Sequence, residues 1–200
     1  TPRLEVLQPI LAPATMAKLK RIDSLTGSIF RSKVIDVTTP AEEGAVGLSR
    51  ALYQVCVSVE RAVGQGSNVI ILSDRAVDAK RAAIPSLLAC SAVHQYLVKA
   101  GLRTACSLIV ETGDAREVHH FALLAGYGAE AIHPWLAFAS IDIFAPTLPG
   151  RPATDECHKR YIKAIGKGLM KVMSKMGIST YQSYCGSQIF EAVGLSSEFV

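Results

Sequence analysis

The sequence predicts an α/β protein in which repeated β-α units form a parallel sheet or a partial, degenerate β/α barrel, followed by a mainly helical C-terminal extension. Half of the 200 residues are hydrophobic, which is enough for a sizeable core. Strand-sized apolar segments alternate with helix-patterned segments, and this alternation favours a parallel sheet with right-handed crossovers. Four such units are half of a closed eight-fold barrel, so the sheet is either open or curled.

The N-terminal residues differ in character from the repeat that follows them. Pro2, Pro9 and Pro13 punctuate this stretch, and we interpret residues 1–31 as a connecting arm. The polar-apolar pattern over 15–25 predicts one short helix, for which Thr15 is the candidate cap.

From residue 32 onward, strands and helices alternate regularly. Residues 69–72 are apolar on both faces, as in a buried parallel strand. Helices are assigned where apolar residues recur at helical spacing and a glycine follows. Pro85 is placed in the first turn of one helix, and Asp114 or Thr112 at the cap of the next. The predicted order is strand 33–38, helix 44–64, strand 68–73, helix 84–100, strand 105–112, a helix ending at 124, and strand 129–133.

The pattern changes after residue 134. The predicted elements here are a helix over 135–143, a loop over 144–153, a long helix over 154–176 and a short helix over 180–190. Prolines and a glycine make the loop a candidate domain seam. Asp155 and Glu156 are favourably placed in the first turn of the long helix, and Ser179 or Thr180 is expected to cap the short one. We therefore divide the chain into the arm 1–31, a β/α core 32–143, and a seam loop with helical extension 144–200.

Composition argues against several classes of function. The net charge is +4, and the basic blocks 18–21 and 158–160 are too short for a nucleic-acid footprint, so we interpret them as solvated helix faces. No apolar run approaches the roughly 18–20 residues of a membrane helix. Five cysteines without a CxxC pair indicate a reducing compartment, the cytoplasm or a plastid stroma. The chain begins at Thr1 without a leader pattern, and we expect it to be a piece of a longer protein.

The strongest candidate site lies at the expected carboxyl ends of two neighbouring strands. Asp74 and Arg75 follow one strand, and Glu111 and Asp114 follow the next. Because α/β folds place ligands at this edge of the sheet, the four side chains are expected to ring one crevice. The alternative is structural: both aspartates cap helices, and Arg75 pairs with a neighbouring carboxylate.

Histidines and glycines give weaker candidates. His119 and His120 are adjacent on a helix, so their side chains point about 100° apart and do not share one metal ion. Glu117 shares a helix face with His120, and His133 lies at a strand end near the crevice. Histidines bonded to backbone carbonyls are the favoured interpretation. The two Gly-x-Gly sequences precede strands, whereas a dinucleotide loop follows one. No catalytic, cofactor-binding or metal-binding residue is assigned.

Two ordered segments, 113–121 and 171–184, carry a family resemblance. They closely resemble the central region of the large (alpha) subunit of glutamate synthase. Further matching segments are 34–38, 71–75, 84–89, 126–132 and 188–195. The resemblance implies a parent enzyme with an N-terminal glutaminase domain that uses a cysteine nucleophile, a central domain, an FMN-binding barrel with a 3Fe-4S cluster, and a β-helix. Such enzymes convert glutamine and 2-oxoglutarate into two glutamates, with ammonia passing through an internal tunnel and electrons coming from a pyridine nucleotide or ferredoxin.

By this resemblance the chain is the central domain, and none of the family's catalytic residues maps onto it. FMN and the 3Fe-4S cluster are expected in the parent and not in this segment. The expected partners are the glutaminase and FMN-binding domains of the same polypeptide, and for the parent a small electron-donating subunit or ferredoxin, with no nucleic acid and no membrane. Cys185 departs from the family pattern, where a basic residue is expected, and so does 133–135, where asparagine-proline-tyrosine is usual.

Two functions of different classes follow. In the first, the chain is a structural domain between the glutaminase and synthase modules. The helix over 154–176 and its methionines Met170, Met173 and Met176 are then expected to be partly exposed. In the second, the chain is a small-molecule binding module for a phosphate- or flavin-like ligand, which the crevice around Asp74 would hold.

Overall fold

The computed structural model describes residues 3–190, 193–194 and 196. The strands are β1 (Ser32–Asp36), β2 (Thr38–Pro40), β3 (Val69–Ser73), β4 (Arg81–Ala83), β5 (Ser107–Glu111) and β6 (Ala131–His133). The helices are α1 (Pro13–Leu19), α2 (Ile22–Leu25), α3 (Gly44–Gly64), α4 (Ser86–Lys99), α5 (Val118–Gly126), α6 (Trp135–Phe144), α7 (Thr154–Lys175) and α8 (Tyr181–Tyr184). In the part of the chain so described, no helix is both long and apolar enough to cross a bilayer.

One parallel sheet organises the fold. Its four strands lie in the order β1-β3-β5-β6, and Val34, Ile71 and Ile109 stand side by side across it. The sheet is open rather than closed into a barrel, and the predicted α/β class with parallel β-α units is confirmed. A small antiparallel pair, β2 with β4, was not predicted because each strand has only three residues.

Helices cover both faces of the sheet. On one face, alternate strand residues such as Ile70 and Leu108 belong to the main core beneath α3, α4 and α5. On the other, Val69, Ile71 and Ile109 pack against Leu11, Met16, Leu19 and Ile22 of the arm and its helices. Burial on both sides explains why the central strands are continuously apolar.

The arm also joins the edge of the sheet. Ile10 forms a parallel bridge with Ile132 of β6. The Ile132 N–H donates to the carbonyl of Pro9 at 2.7 Å, and the Leu11 N–H donates to the carbonyl of Ile132 at 2.8 Å. The arm is therefore part of the folded unit.

The C-terminal helices form a third layer against α5. Leu169 and Met173 of α7 pack with Ala122 and Ala125 of α5 and with the fully buried Tyr184. Met170 is 65 % exposed and Met176 is also exposed, whereas Met173 is buried. The expected partial exposure is thus confirmed for two of the three methionines.

Three predicted elements differ from the structure. The single helix predicted over 15–25 is two helices, α1 and α2. The first of them begins earlier than predicted, at Pro13, because proline suits the first helical position. The strand over 33–38 ends at Asp36, whose carboxylate accepts the N–H and the hydroxyl of Thr38 and turns the chain.

The predicted helix over 180–190 is only α8, capped by Thr180 as expected. It cannot continue because Gly186 takes a φ of 68° and Gln188 a φ of 55°, both left-handed. Within the family-like segment 188–195, Glu191, Ala192 and Leu195 lie outside the described residues.

Candidate functional site

Asp74 is the centre of a polar network at the carboxyl ends of the strands. It is 2 % exposed and directly follows β3. Its carboxylate accepts the hydroxyl of Thr112 at 2.6 Å, the N–H of Gly113 at 2.9 Å and the indole N–H of Trp135 at 2.6 Å. The residues after β3, β5 and β6 are therefore tied to one carboxylate, and all of its partners belong to this chain.

Glu111, the last residue of β5, is the second buried carboxylate. It is 1 % exposed and accepts the hydroxyl of Ser73 at 2.6 Å. The ammonium group of Lys20, from the arm, lies 2.8 Å from each carboxylate oxygen, and the Arg75 guanidinium lies 3.8 Å away. Such cations and hydrogen-bond donors compensate a buried carboxylate for the hydration that it loses on folding. Arg75 also lies over the Trp135 ring, 5.0 Å from its centroid.

The structure brings together three of the four residues that are expected to ring a crevice. Asp74, Arg75 and Glu111 lie together, whereas Asp114 is exposed and faces away toward α4. The Asp114 carboxylate accepts the N–H of Ser86 at 2.9 Å, the first N–H of α4. Asp114 therefore accepts the first N–H of α4 from outside that helix, whose N-cap residue is Pro85. Arg75 pairs with a carboxylate, as the structural alternative proposed, but Asp74 caps no helix.

The cap predicted for α5 is wrong. Neither Thr112 nor Asp114 caps this helix; Glu117 is its N-cap residue, within a capping box that it forms with His120. The ring nitrogen Nδ1 of His120 accepts the N–H of Arg116 at 3.1 Å. His120 is thus a structural residue of the helix start.

His133 is also structural. It is buried, its Nδ1–H donates to the carbonyl of Leu11 at 2.8 Å, and its ring stacks on Phe138. Burial lowers the pKa of His133 below its ordinary value, an effect that the bond to Leu11 partly opposes. Over the residues that the structure describes, no group of three or more histidine, cysteine or acidic side chains is placed to hold a metal ion.

A second polar cluster, centred on Arg103, lies at the opposite end of the sheet and was missed from the sequence. The Arg103 side chain donates to Nδ1 of His94 at 3.0 Å, to the carbonyls of Cys106 and Gly128 at 2.9 and 3.0 Å, and to the Glu130 carboxylate at 2.9 Å. One side chain thereby fastens α4 to the segments that enter β5 and β6. The signal in the sequence is Gly128 itself. This glycine has a φ of 113°, and an added Cβ there would meet the His94 side chain.

The groups around the Arg103 cluster are poorly suited to catalysis. Burial, together with the neighbouring Arg103 cation, lowers the pKa of His94. Burial raises the pKa of the Cys90 and Cys185 thiols to about 12, so neither is a reactive thiolate at neutral pH. A cavity of about 250 Å³ beside them is lined by His94, Tyr127 and Phe190.

The fold is similar to that of TIM-barrel-like flavoproteins. A flavocytochrome b2 variant with benzoylformate matches 90% of this chain and 42% of its own, with a TM-score of 0.55 and 14% identity. A further flavocytochrome b2 variant, with sulfite bound, matches 95% of this chain and 57% of its own, with a TM-score of 0.52 and 10% identity. At such low identity the likeness concerns the fold alone.

Sequence relatives identify the family. The NADH glutamate synthase of Schizosaccharomyces pombe is 42% identical over 99% of this chain, and the NADPH glutamate synthase large chain of Bacillus subtilis is 43% identical over 99%. The chloroplastic ferredoxin-dependent glutamate synthase 2 of Arabidopsis thaliana is 38% identical over 90%. The chain spans 9% to 12% of the length of these relatives. Residues 1–196 match the family described as glutamate synthase central domain, and the chain therefore belongs to that family.

Proposed function

We propose that this chain is the linking domain of a glutamate synthase, which converts glutamine and 2-oxoglutarate into two glutamates. In this role the domain holds the glutaminase module and the FMN and iron–sulfur synthase module in register and carries out no chemistry itself. The proposal is supported by the family match and by relatives that are NADH, NADPH and ferredoxin-dependent glutamate synthases.

The hydrogen bonds and ion pairs that occupy Asp74 and Glu111 form a closed network at the carboxyl edge of the sheet, and this network is the main support for a non-catalytic role. This edge is where α/β folds bind their ligands. Here Asp74 and Glu111 are buried, and both carboxylates are bonded to groups of this chain. A ligand that used either carboxylate would first have to break those bonds.

An exposed apolar group provides the contact surface that a linking domain needs. Ile143 and Phe144, at the end of α6, and Leu148, in the following loop, are exposed, and we call these three residues the seam cluster. An adjacent groove of about 330 Å³ is lined by Phe144, Leu148, Tyr161 and their neighbours. Contiguous exposed apolar residues are typical of interaction surfaces. We place the boundary toward the synthase module in residues 144–200.

The cysteines of this segment do not fit the iron–sulfur cluster of the parent. A cluster needs several thiolates close together, whereas Cys56, Cys90 and Cys106 are buried, and within the described residues no group of three or more histidine, cysteine or acidic side chains is placed to hold a metal ion. We therefore assign the cluster and FMN to other parts of the parent, with electrons from a pyridine nucleotide or from ferredoxin. The parent is placed in the cytoplasm, or in a plastid if it resembles the chloroplastic relatives.

The linking role is tested in the full-length enzyme with the double change Ile143→Ser and Phe144→Ser. These side chains are 72% and 61% exposed, so their replacement leaves the core of the domain intact. We expect more glutamine to be hydrolysed per glutamate formed, because the two modules are no longer held in register.

The matched control is Val46→Ser with Tyr53→Ser on α3, whose side chains are 72% and 66% exposed. The control is expected to keep the ratio of the two activities unchanged. Equal effects of the two double variants, or no effect of either, would contradict the proposal.

The second candidate is a small-molecule binding module at the carboxyl edge of the sheet, which is where α/β folds bind their ligands. Arg75 is half exposed above Trp135, the chain's one tryptophan, so a ligand bound at the crevice would change the indole fluorescence. Titration of this chain with FMN, 2-oxoglutarate and glutamine tests the idea. Saturable quenching that disappears in Arg75→Gln would establish binding; a flat titration with all three compounds would exclude it.

A further inference from the structure

Five exposed lysines occupy successive turns of α7, and together we call them the lysine stripe. Its members are Lys159, Lys163, Lys167, Lys171 and Lys175. Four residues advance about 6 Å along a helix, so the stripe winds gently over about 24 Å. Five of the 21 lysines and arginines of the chain are therefore aligned along one helix.

The acidic residues of α7, Asp155 and Glu156, both lie in its first turn, before the stripe begins. Residues 157–190 contain no aspartate or glutamate. Glu156 and Arg160, both on α7, form a salt bridge at 2.8 Å. Within the described part of the chain, none of the five lysines forms a salt bridge. The Arg160 bond, with Lys159 and Lys163 beside it, lowers the pKa of Glu156. The rest of the stripe is a nearly uncompensated line of positive charge.

Folding does not account for this arrangement. Like charges four residues apart on a helix destabilise it. The helix dipole favours cations only in the last turn, which explains Lys175 but not the other four lysines. A partner that neutralises the charge would account for the complete stripe.

The surroundings of the stripe favour a protein as the partner. Met170 is 65% exposed and lies one helical turn from Lys167, so the stripe is flanked by a soft apolar side chain. Methionine is enriched in protein interfaces. A membrane is less suited, because the apolar face of α7, with Ile162, Ile165 and Leu169, is already buried within the domain.

We propose that the lysine stripe of α7 is a docking surface for an acidic protein face. Opposite charge across such an interface raises the association rate and selects the partner. Binding also relieves the repulsion between successive lysines. This partner chemistry follows from α7 itself and does not depend on whether the domain links two modules.

The test compares two variants with the same change in net charge. The stripe variant carries Lys163→Gln, Lys167→Gln, Lys171→Gln and Lys175→Gln. The control variant replaces four exposed lysines outside α7 in the same way, namely Lys18, Lys33, Lys80 and Lys99. Each variant loses four positive charges, which takes the formal net charge of the chain from +4 to 0. Lysine and glutamine have similar helix propensities, and circular dichroism verifies that each variant is folded.

Binding of a fluorescent poly-L-glutamate peptide is measured by anisotropy at low salt, with duplex DNA and phosphatidylserine vesicles as the other probes. We expect the stripe variant to bind the peptide at least about tenfold more weakly than the wild type, while the control variant retains binding. Wild-type binding is expected to weaken as salt screens the charges. Equal losses in both variants, binding insensitive to salt, or tighter stripe-dependent binding to DNA or vesicles would each overturn the proposal.

Discussion

Replacement of Asp74 by asparagine is expected to destabilise the domain strongly, although the side chain keeps its size. Every group that faces the carboxylate donates a hydrogen bond to it. An asparagine oxygen in the Oδ1 position can still accept from Trp135 and, at the longer distance of 3.2 Å, from the N–H of Gly113. The NH₂ can donate to the Thr112 hydroxyl, but it replaces the oxygen that accepts the Gly113 N–H at 2.9 Å and then faces that N–H. Loss of this buried bond costs about 1–3 kcal/mol, and loss of charge assistance at the other two costs about 1 kcal/mol each. Removal of a buried charge offsets about 1 kcal/mol, which leaves a net loss of about 2–4 kcal/mol.

Urea unfolding measures this loss. Circular dichroism follows the whole domain, and the fluorescence of Trp135, the one tryptophan, follows the network itself. A loss of this size lowers the Tm of a domain of this length by about 4–16 °C. Asp114→Asn is the matched control, because an asparagine oxygen at this exposed position can still accept the N–H of Ser86, and a change below about 0.5 kcal/mol is expected. A loss below about 1 kcal/mol for Asp74→Asn would refute the closed network.

Three further changes test other parts of the structure. Gly128→Ala should cost about 3 kcal/mol or more in urea unfolding, because the residue has a φ of 113° and the new Cβ meets His94. Lys167→Glu should raise the free energy of unfolding by about 1–2 kcal/mol, since two like-charge pairs on α7 become opposite-charge pairs, and the gain should shrink at high salt. The free energy of unfolding should fall as the pH drops below about 6.5. Burial lowers the pKa of His133, so the unfolded chain takes up the proton at a higher pH than the folded chain does. For this group the free energy of unfolding changes by at most about 1.4 kcal/mol per pH unit. His133→Asn, which keeps a donor for the carbonyl of Leu11, should reduce that slope.

Each of these changes has a control on an unrelated part of the surface. Gly150→Ala also places alanine at a positive φ, of 75°, but into open space, so a loss of about 1–2 kcal/mol is expected. Lys80→Glu makes the same charge change in an exposed loop and should give no gain. His119→Asn, at an exposed position, is the matched control for the replacement of His133. A control that behaves like its test variant would contradict the corresponding reasoning.

The sequence was sufficient for the sheet because its signals are local. Continuous apolar strands such as β3 and glycine-ended helices such as α3 are apparent in a window of a few residues. The site depends on distant pairs instead. Ser86 and its hydrogen-bond partner Asp114 are 28 residues apart, and Lys20 and Glu111 are 91 apart. No local pattern specifies such partners, whereas the lysine stripe has a simple four-residue period that was available in the sequence.

The arm has a consequence for the order in which this protein folds. Ile10 pairs with Ile132, and the Leu11 carbonyl bonds to His133, 122 residues further along. Contacts between such distant residues form late, because the intervening chain must be ordered before the gain of contact offsets the loop entropy. On the ribosome, the pairing of Ile10 and Leu11 with β6 therefore forms only after β6 has emerged. The arm is fixed to the edge of the sheet at that point, although it is among the first segments to be made.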